Sequence, residues 1–145
     1  MKGNDKLRVQ YPFEENAWLK SALIPVLDAA LRDALDKKLI VPEHKLRQPV
    51  MLFSQAKCKK QLYHRDLKRE AEDAKVVPLS LFVALQENTK LALLDDKQII
   101  IQPGDYIIFG SRLVHAGEAY ETDHVRLHAY LAAKDFKIGN QTDYV

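Results

Sequence analysis

Between Pro49 and Leu131 the chain is cut into eight short apolar runs, none longer than eight residues. These are Pro49–Ser54, Gln61–Leu67, Leu79–Gln86, Lys90–Leu94, Gln98–Ile101, Asp105–Phe109, Leu113–Ala116 and Val125–Leu131. Each is rich in β-branched, aromatic or aliphatic residues, and turn formers separate them: Glu87-Asn88, Asp95-Asp96 and Pro103-Gly104-Asp105. Runs this short are strands rather than helices. Strands at this density bury their apolar faces by packing as a sandwich or closing as a barrel, and eight of them close naturally as a jelly roll.

Upstream the periodicity changes. From Asn16 to about Leu39 the spacing predicts helix, with Asn16 as N-cap and Leu27, Leu31, Ala34 and Leu35 as one apolar stripe. Pro25 either breaks this segment or sits in the first turn of a second piece, where its missing N–H is harmless. Trp18 reads as a core anchor. The expectation is one domain over residues 1–145, mainly β with an N-terminal helix: a helical lead-in at 16–39, a β core at about 49–131, and a polar tail from Lys134.

Composition narrows the setting. The one cysteine, Cys58, excludes an internal disulfide and a cysteine metal cluster, which fits a reducing interior. Met1–Lys6 lacks the apolar core of a signal peptide, and no apolar run approaches bilayer length. A soluble cytoplasmic protein with no membrane partner is expected. The net charge of +2 does not argue for nucleic acid. The charge is uneven, with 16 Lys+Arg against 11 Asp+Glu in residues 1–75 and 6 against 9 in residues 76–145. Lys57, Lys59, Lys60, Lys68, Arg69 and Lys75 flank His64-Arg65-Asp66, but Glu70, Glu72 and Asp73 lie among them, so a solvated charged loop is the expected reading.

Three separated pieces carry chemistry: His64-Arg65-Asp66, His115 and Arg126. Two imidazoles and one carboxylate are the ligand set of the facial triad, which holds Fe(II) on one face and leaves the others open. In a strand, residues i and i+2 share a face, so His64 and Asp66 can reach one metal. Arg126 adds a permanent cation suited to a dianionic 2-oxo acid on that metal. Each residue alone has an ordinary explanation: an ion pair, a surface imidazole, a rim charge. Their order and β context together favour a site. Among the other histidines, His44 is expected to be solvated and His124 to lie in a loop. His128 shares a face with Arg126 and could line the same pocket, though a satisfied core residue is the expected role.

These pieces give a family resemblance. Tyr63–Asp66, Pro78–Leu85, Pro103–Phe109, His115-Ala116-Gly117 and Arg126–Leu131 resemble the double-stranded β-helix of the Fe(II)/2-oxoglutarate-dependent dioxygenases, particularly a compact member of the phytanoyl-CoA dioxygenase-like branch. The resemblance implies that His64, Asp66 and His115 bind Fe(II), and that Arg126 pairs with the far carboxylate of 2-oxoglutarate, with Gln55 helping to hold it. It implies hydroxylation of a substrate as 2-oxoglutarate is decarboxylated to succinate. Halogenases of the superfamily have a small residue at the position of Asp66, so a hydroxylase is expected. Phytanoyl-type members are longer, with added helices around the substrate, and Lys68–Pro78 here is short and charged. A lipid thioester is therefore not carried over, and a peptide, a nucleic-acid base or a small polar metabolite stays open. Two other readings remain: a cupin-like metal enzyme using no 2-oxo acid, and a catalytically silent β-barrel binding module.

Overall fold

A computed structural model describes residues 7–67, 71, 73–139, 143 and 144. Met1–Lys6, and the rim residues Lys68, Arg69, Glu70 and Glu72, lie outside the described residues. The elements run β1 (Arg8–Pro12), a 3-10 turn (Phe13–Glu15), α1 (Ala17–Asp36), β2 (Lys45–Ser54), β3 (His64–Arg65), β4 (Leu79–Ala84), β5 (Thr89–Leu93), β6 (Gln98–Ile101), β7 (Tyr106–Gly110), β8 (His115–Gly117), β9 (His124–Ala132) and β10 (Asp143–Tyr144). Two five-stranded antiparallel sheets result, ordered β1-β2-β9-β4-β7 and β10-β3-β8-β5-β6. Strands β2 to β9 pass between the two sheets as a double-stranded β-helix, the cupin-like jelly roll.

Each of the eight expected runs overlaps a strand, and β2 begins four residues earlier than expected, at Lys45. The turns form where the sequence offers residues that tolerate a left-handed backbone: Asn88, Asp95 and Asp96 have φ of 58°, 63° and 57°. Gly104, at φ 87°, is the turn position where a side chain would be strained. Gln61–Leu67 is the least regular run, and its ladder narrows to His64–Arg65. The flanking residues still follow the partner chain, because Gln61 N–H donates to the Gly117 carbonyl (2.9 Å) and Leu67 N–H to that of Ser111 (3.2 Å).

Strand β9 explains how the core and the cavity coexist. On one face Leu127, Ala129 and Leu131 join Leu81 and Val83 of β4 beneath Leu19, Leu27, Ala30 and Ala34 of α1. On the other face Arg126, His128 and Tyr130 line the space between the sheets. Alternation along one strand thus separates an apolar layer from a polar one. Strand β4 is covered on both sides, which is why Leu79–Ala84 is almost wholly apolar. A second apolar cluster, Phe82, Ala84, Leu91, Ile101 and Phe109, joins the two sheets.

Several expectations change. The helix is one piece of 20 residues with Pro25 inside it. Pro25 and Ser21 are both exposed, so the Ser21 carbonyl that loses its helical partner can be hydrated. Asn16 caps as expected, accepting from Leu19 N–H at 3.0 Å. Trp18 is 76% exposed: in the first turn it is Leu19 that turns inward. His44 is buried rather than solvated. Its Nδ1 accepts from Val41 N–H (3.1 Å) and its Nε2 sits 3.0 Å from the Val77 carbonyl. His124 begins β9 instead of lying in a loop. The tail from Lys134 returns at β10 to pair with β3. Strand β1 lies outside the expected β core and pairs with β2.

The contrast between two apolar side chains gives a test. Leu127→Ala, removing a fully buried side chain, is expected to cost about 2–5 kcal/mol in urea unfolding. Trp18→Ala is expected to stay within about 0.5 kcal/mol of wild type. Equal costs would mean that the helix packs differently.

Candidate metal and anion site

The pairing of β3 with β8 sets His64 directly opposite His115, with ring centroids 4.5 Å apart. Asp66 follows in the bend after β3 and points the same way as His64. Its Oδ1 lies 3.2 Å from His115 Nε2 and 3.5 Å from His64 Nε2. One ligand atom from each of the three falls within 4.8 Å of the others. The side chains are 12%, 11% and 7% exposed for His64, Asp66 and His115, so water competes little for them.

Backbone carbonyls fix both imidazoles. His64 Nδ1 is 2.9 Å from the Leu62 oxygen, and His115 Nδ1 is 2.9 Å from the Leu113 oxygen. A carbonyl only accepts, so each Nδ1 carries a proton and each Nε2 is turned toward Asp66. This is how metal-binding histidines are generally oriented. The other carboxylate oxygen, Asp66 Oδ2, accepts from Ser80 Oγ at 2.5 Å. His128 Nε2 lies 3.6 Å from Oδ2 and has no hydrogen-bond partner among the described residues. His128 is thus part of the site's wall, not a satisfied core residue.

Charge couples these groups. Burial alone would raise the Asp66 carboxyl, but the imidazoles of His115, His128 and His64 around it hold it well below the usual carboxylate range. Burial lowers His115, while its hydrogen bond to Asp66 and the carboxylate's charge raise it more, so its net shift is upward.

Arg126 lies on the inner face of β9, opposite Leu52 of β2 and Ala84 of β4. It is 4% exposed. Among the described residues its one hydrogen bond is from a guanidinium nitrogen to Ser54 Oγ, 3.0 Å away. Tyr120 lies beneath it, with the guanidinium 5.3 Å from the ring centroid. Burial pushes Arg126 down to about 10, with a further push from Arg8, and it stays charged at neutral pH. Arg8 of β1 also donates to Ser54 Oγ (3.1 Å) and to the carbonyls of Lys59 and Glu118. It reaches them past Gly117, where an added Cβ would come within 2.8 Å of its guanidinium.

His124 is neutral and structural. Thr89 Oγ1 donates its own proton to the Gln86 carbonyl, so it accepts from His124 Nε2 at 3.0 Å. Burial and the nearby Arg126 push His124 down to about 4. Its ring stacks on Tyr120 at 4.0 Å.

A cavity of about 780 Å³ contains His64, Asp66 and His115 together with Arg126, His128 and Tyr130. Lys57, Lys59 and Lys60 also border it. The structure does not bring Gln55 into this group. It is exposed one residue past β2 and is absent from the described lining, and its neighbour Ser54 is the residue that reaches Arg126. Arg8, Ser54 and Ser80 were not identified from sequence. Ser80 alone carried a signal, as a hydroxyl inside an otherwise apolar strand.

No protein-family model matches this sequence, and no curated protein matches it. Solved structures do match in fold. HygX from Streptomyces hygroscopicus, with nickel and 2-oxoglutarate bound, aligns at a TM-score of 0.63 and 12% identity over 94% of this chain and 74% of its own. The viral collagen prolyl hydroxylase vCPH from Paramecium Bursaria Chlorella virus-1, in its 2OG complex, aligns at 0.62 and 14% identity over 87% of this chain and 79% of its own. A chain from the structures of the DMSP lyases RdDddP and RnDddQII aligns at 0.48 and 12% identity over 68% of this chain, which spans only 43% of that one. Identities this low establish the fold that cupins and 2-oxoglutarate oxygenases share. They give no support to the phytanoyl-CoA branch in particular. No helix among the described residues is long and apolar enough to cross a membrane.

The coupling between Asp66 and His115 sets a pH dependence for the metal-free protein. A folded-state value raised above 6.5 stabilises fully below about pH 6.5 and is lost as pH rises through the folded value. The depressed Asp66 contributes above the ordinary carboxylate range and is lost only on acidification. Unfolding midpoints without metal are expected to fall from pH 6 to pH 9, and Asp66→Asn to flatten that fall. Parallel profiles for the two proteins would remove the coupling.

Proposed function

We propose that this protein is an Fe(II)- and 2-oxoglutarate-dependent oxygenase of the hydroxylase type. The observation that carries the reading is Arg126: a buried cation in the same cavity as the His64–Asp66–His115 cluster, with a single hydroxyl as its hydrogen-bond partner among the described residues. Holding such a charge out of water is costly unless an anion pairs with it. A 2-oxo dicarboxylate matches both features, with a keto-acid end for a metal and a far carboxylate for the guanidinium fork. The likeness to HygX and vCPH, each solved with 2-oxoglutarate, supports the same reading.

The donor set suits Fe(II): two Nε2 atoms already turned inward and one carboxylate oxygen, with no thiolate. Bound there with 2-oxoglutarate, iron would supply the oxidising chemistry, coupled to loss of carbon dioxide and formation of succinate. The chain's own residues bind, orient and shield. The Leu62 and Leu113 carbonyls keep the imidazoles in register. Ser54 and Tyr120 hold the Arg126 guanidinium in place. Phe82, Leu91 and Phe109 supply apolar wall that limits water. With a carboxylate at Asp66 rather than the small residue of a halogenase, the reading is hydroxylation.

Anaerobic titration of the protein with Fe(II) and 2-oxoglutarate, followed by the visible metal-to-ligand charge-transfer band, tests this. Arg126→Ala is expected to raise the half-saturating 2-oxoglutarate concentration roughly 10- to 100-fold, the equivalent of about 1.5–3 kcal/mol for a charge-assisted contact. Arg126→Lys should recover part of that. His64→Ala or Asp66→Ala should abolish tight metal binding while the fold survives. Wild-type protein that binds metal and yields no band with 2-oxoglutarate would favour a cupin-like enzyme without the oxo acid.

A further inference from the structure

We propose that Ser80 is a positioning residue that makes Asp66 a one-oxygen ligand. The inference rests on the metal-site reading above and concerns a residue on the opposite sheet from the ligand strands. Asp66 divides its two oxygens between the sheets. Oδ1 faces His64 and His115, on β3 and β8. Oδ2 faces away and accepts from Ser80 Oγ, on β4, at 2.5 Å.

Ser80 is an anomaly that this contact explains. It is fully buried and is the one polar side chain in the strand Leu79–Ala84. A buried hydroxyl without a partner costs stability, whereas a hydroxyl on an ionised carboxylate makes a short, strong bond. The register fixes where that hydroxyl sits. Ser80 lies opposite Tyr130 of β9 and Phe109 of β7, in the middle of its sheet, where backbone pairing on both sides keeps it from moving. His128 Nε2, 3.6 Å from Oδ2 on the adjacent strand, crowds the same oxygen from a second direction.

The consequence is geometric. A carboxylate free to rotate about its Cβ–Cγ bond can turn both oxygens toward a cation. One whose Oδ2 is held by Ser80 offers Oδ1 alone. A metal held there would receive one atom from each of His64, Asp66 and His115, and a two-oxygen carboxylate would crowd the same space. Hydrogen-bond partners of this kind commonly change metal affinity 10- to 100-fold when removed.

The experiment uses Co(II) alone, titrated into the metal-free full chain and read both by affinity and by the visible d–d spectrum. Ser80→Ala is expected to weaken Co(II) binding 10- to 100-fold or to shift the spectrum toward higher coordination, as the freed oxygen joins the metal. Ser80→Thr, which keeps the hydroxyl, should restore the wild-type spectrum, an outcome that a purely structural role would not produce. The thermal unfolding of each variant without metal is measured alongside. If Ser80→Ala does not fold, the carboxylate stretching frequencies of wild-type protein with and without Co(II) decide, since one-oxygen and two-oxygen coordination split them differently; a two-oxygen pattern overturns the proposal. Wild-type affinity and spectrum in Ser80→Ala overturn the role of Ser80 and leave the metal site standing. Wild-type protein that binds no Co(II) overturns both.

Discussion

One carboxylate joins the two sheets of this jelly roll. Asp66 faces two imidazoles on its own sheet through Oδ1 and takes a serine hydroxyl from the other sheet through Oδ2. It stays ionised despite burial because three imidazoles surround it. The polar centre of the molecule therefore contributes to cohesion: Asp66 is the carboxylate toward which the Nε2 atoms of His64, His115 and His128 turn. Partly satisfied buried networks are costly, and this one is near satisfaction only while the carboxylate is present.

The division of labour on β9 makes such a centre compatible with a stable fold. Leu127, Ala129 and Leu131 are fully buried against α1 and belong to a layer the cavity does not touch. The apolar layer is built on one face and the polar cavity lining on the other, with one strand as the boundary. The same strand carries Arg126 and His128 on its inner face, so the spacing of these two side chains is set by rigid backbone. Sites carried on strands hold their geometry more closely than sites carried on loops.

The parts of this arrangement that were legible in the sequence are those governed by local spacing. Eight strands were readable because apolar runs alternate with residues that accept left-handed backbone, and Asn88, Asp95, Asp96 and Gly104 adopt it. The sharing of one side by His64 and Asp66 followed from their spacing alone. Strand β1 was not legible because its pattern is inverted: Arg8 points in while Val9 and Tyr11 are 39% and 42% exposed. Strand β10 is too short to leave a pattern. Ser54 rather than Gln55 meets Arg126 because a step of one residue reverses a side chain's direction, and register is set by distant pairing. The approach of His128 and Ser80 to Asp66 was not legible for a related reason. Their partner, Asp66, comes from another sheet, and no local periodicity carries that information.

Calorimetry measures directly whether the Asp66 and Arg126 ends of the cavity act together on their ligands. 2-Oxoglutarate is titrated anaerobically into the protein with and without a saturating divalent metal, and the metal is titrated with and without 2-oxoglutarate. If both ligands occupy the cavity between Asp66 and Arg126, each tightens the other by the same factor, because binding free energies are reciprocal. Affinities for 2-oxoglutarate that are equal with and without metal, or absent in both cases, would contradict the account.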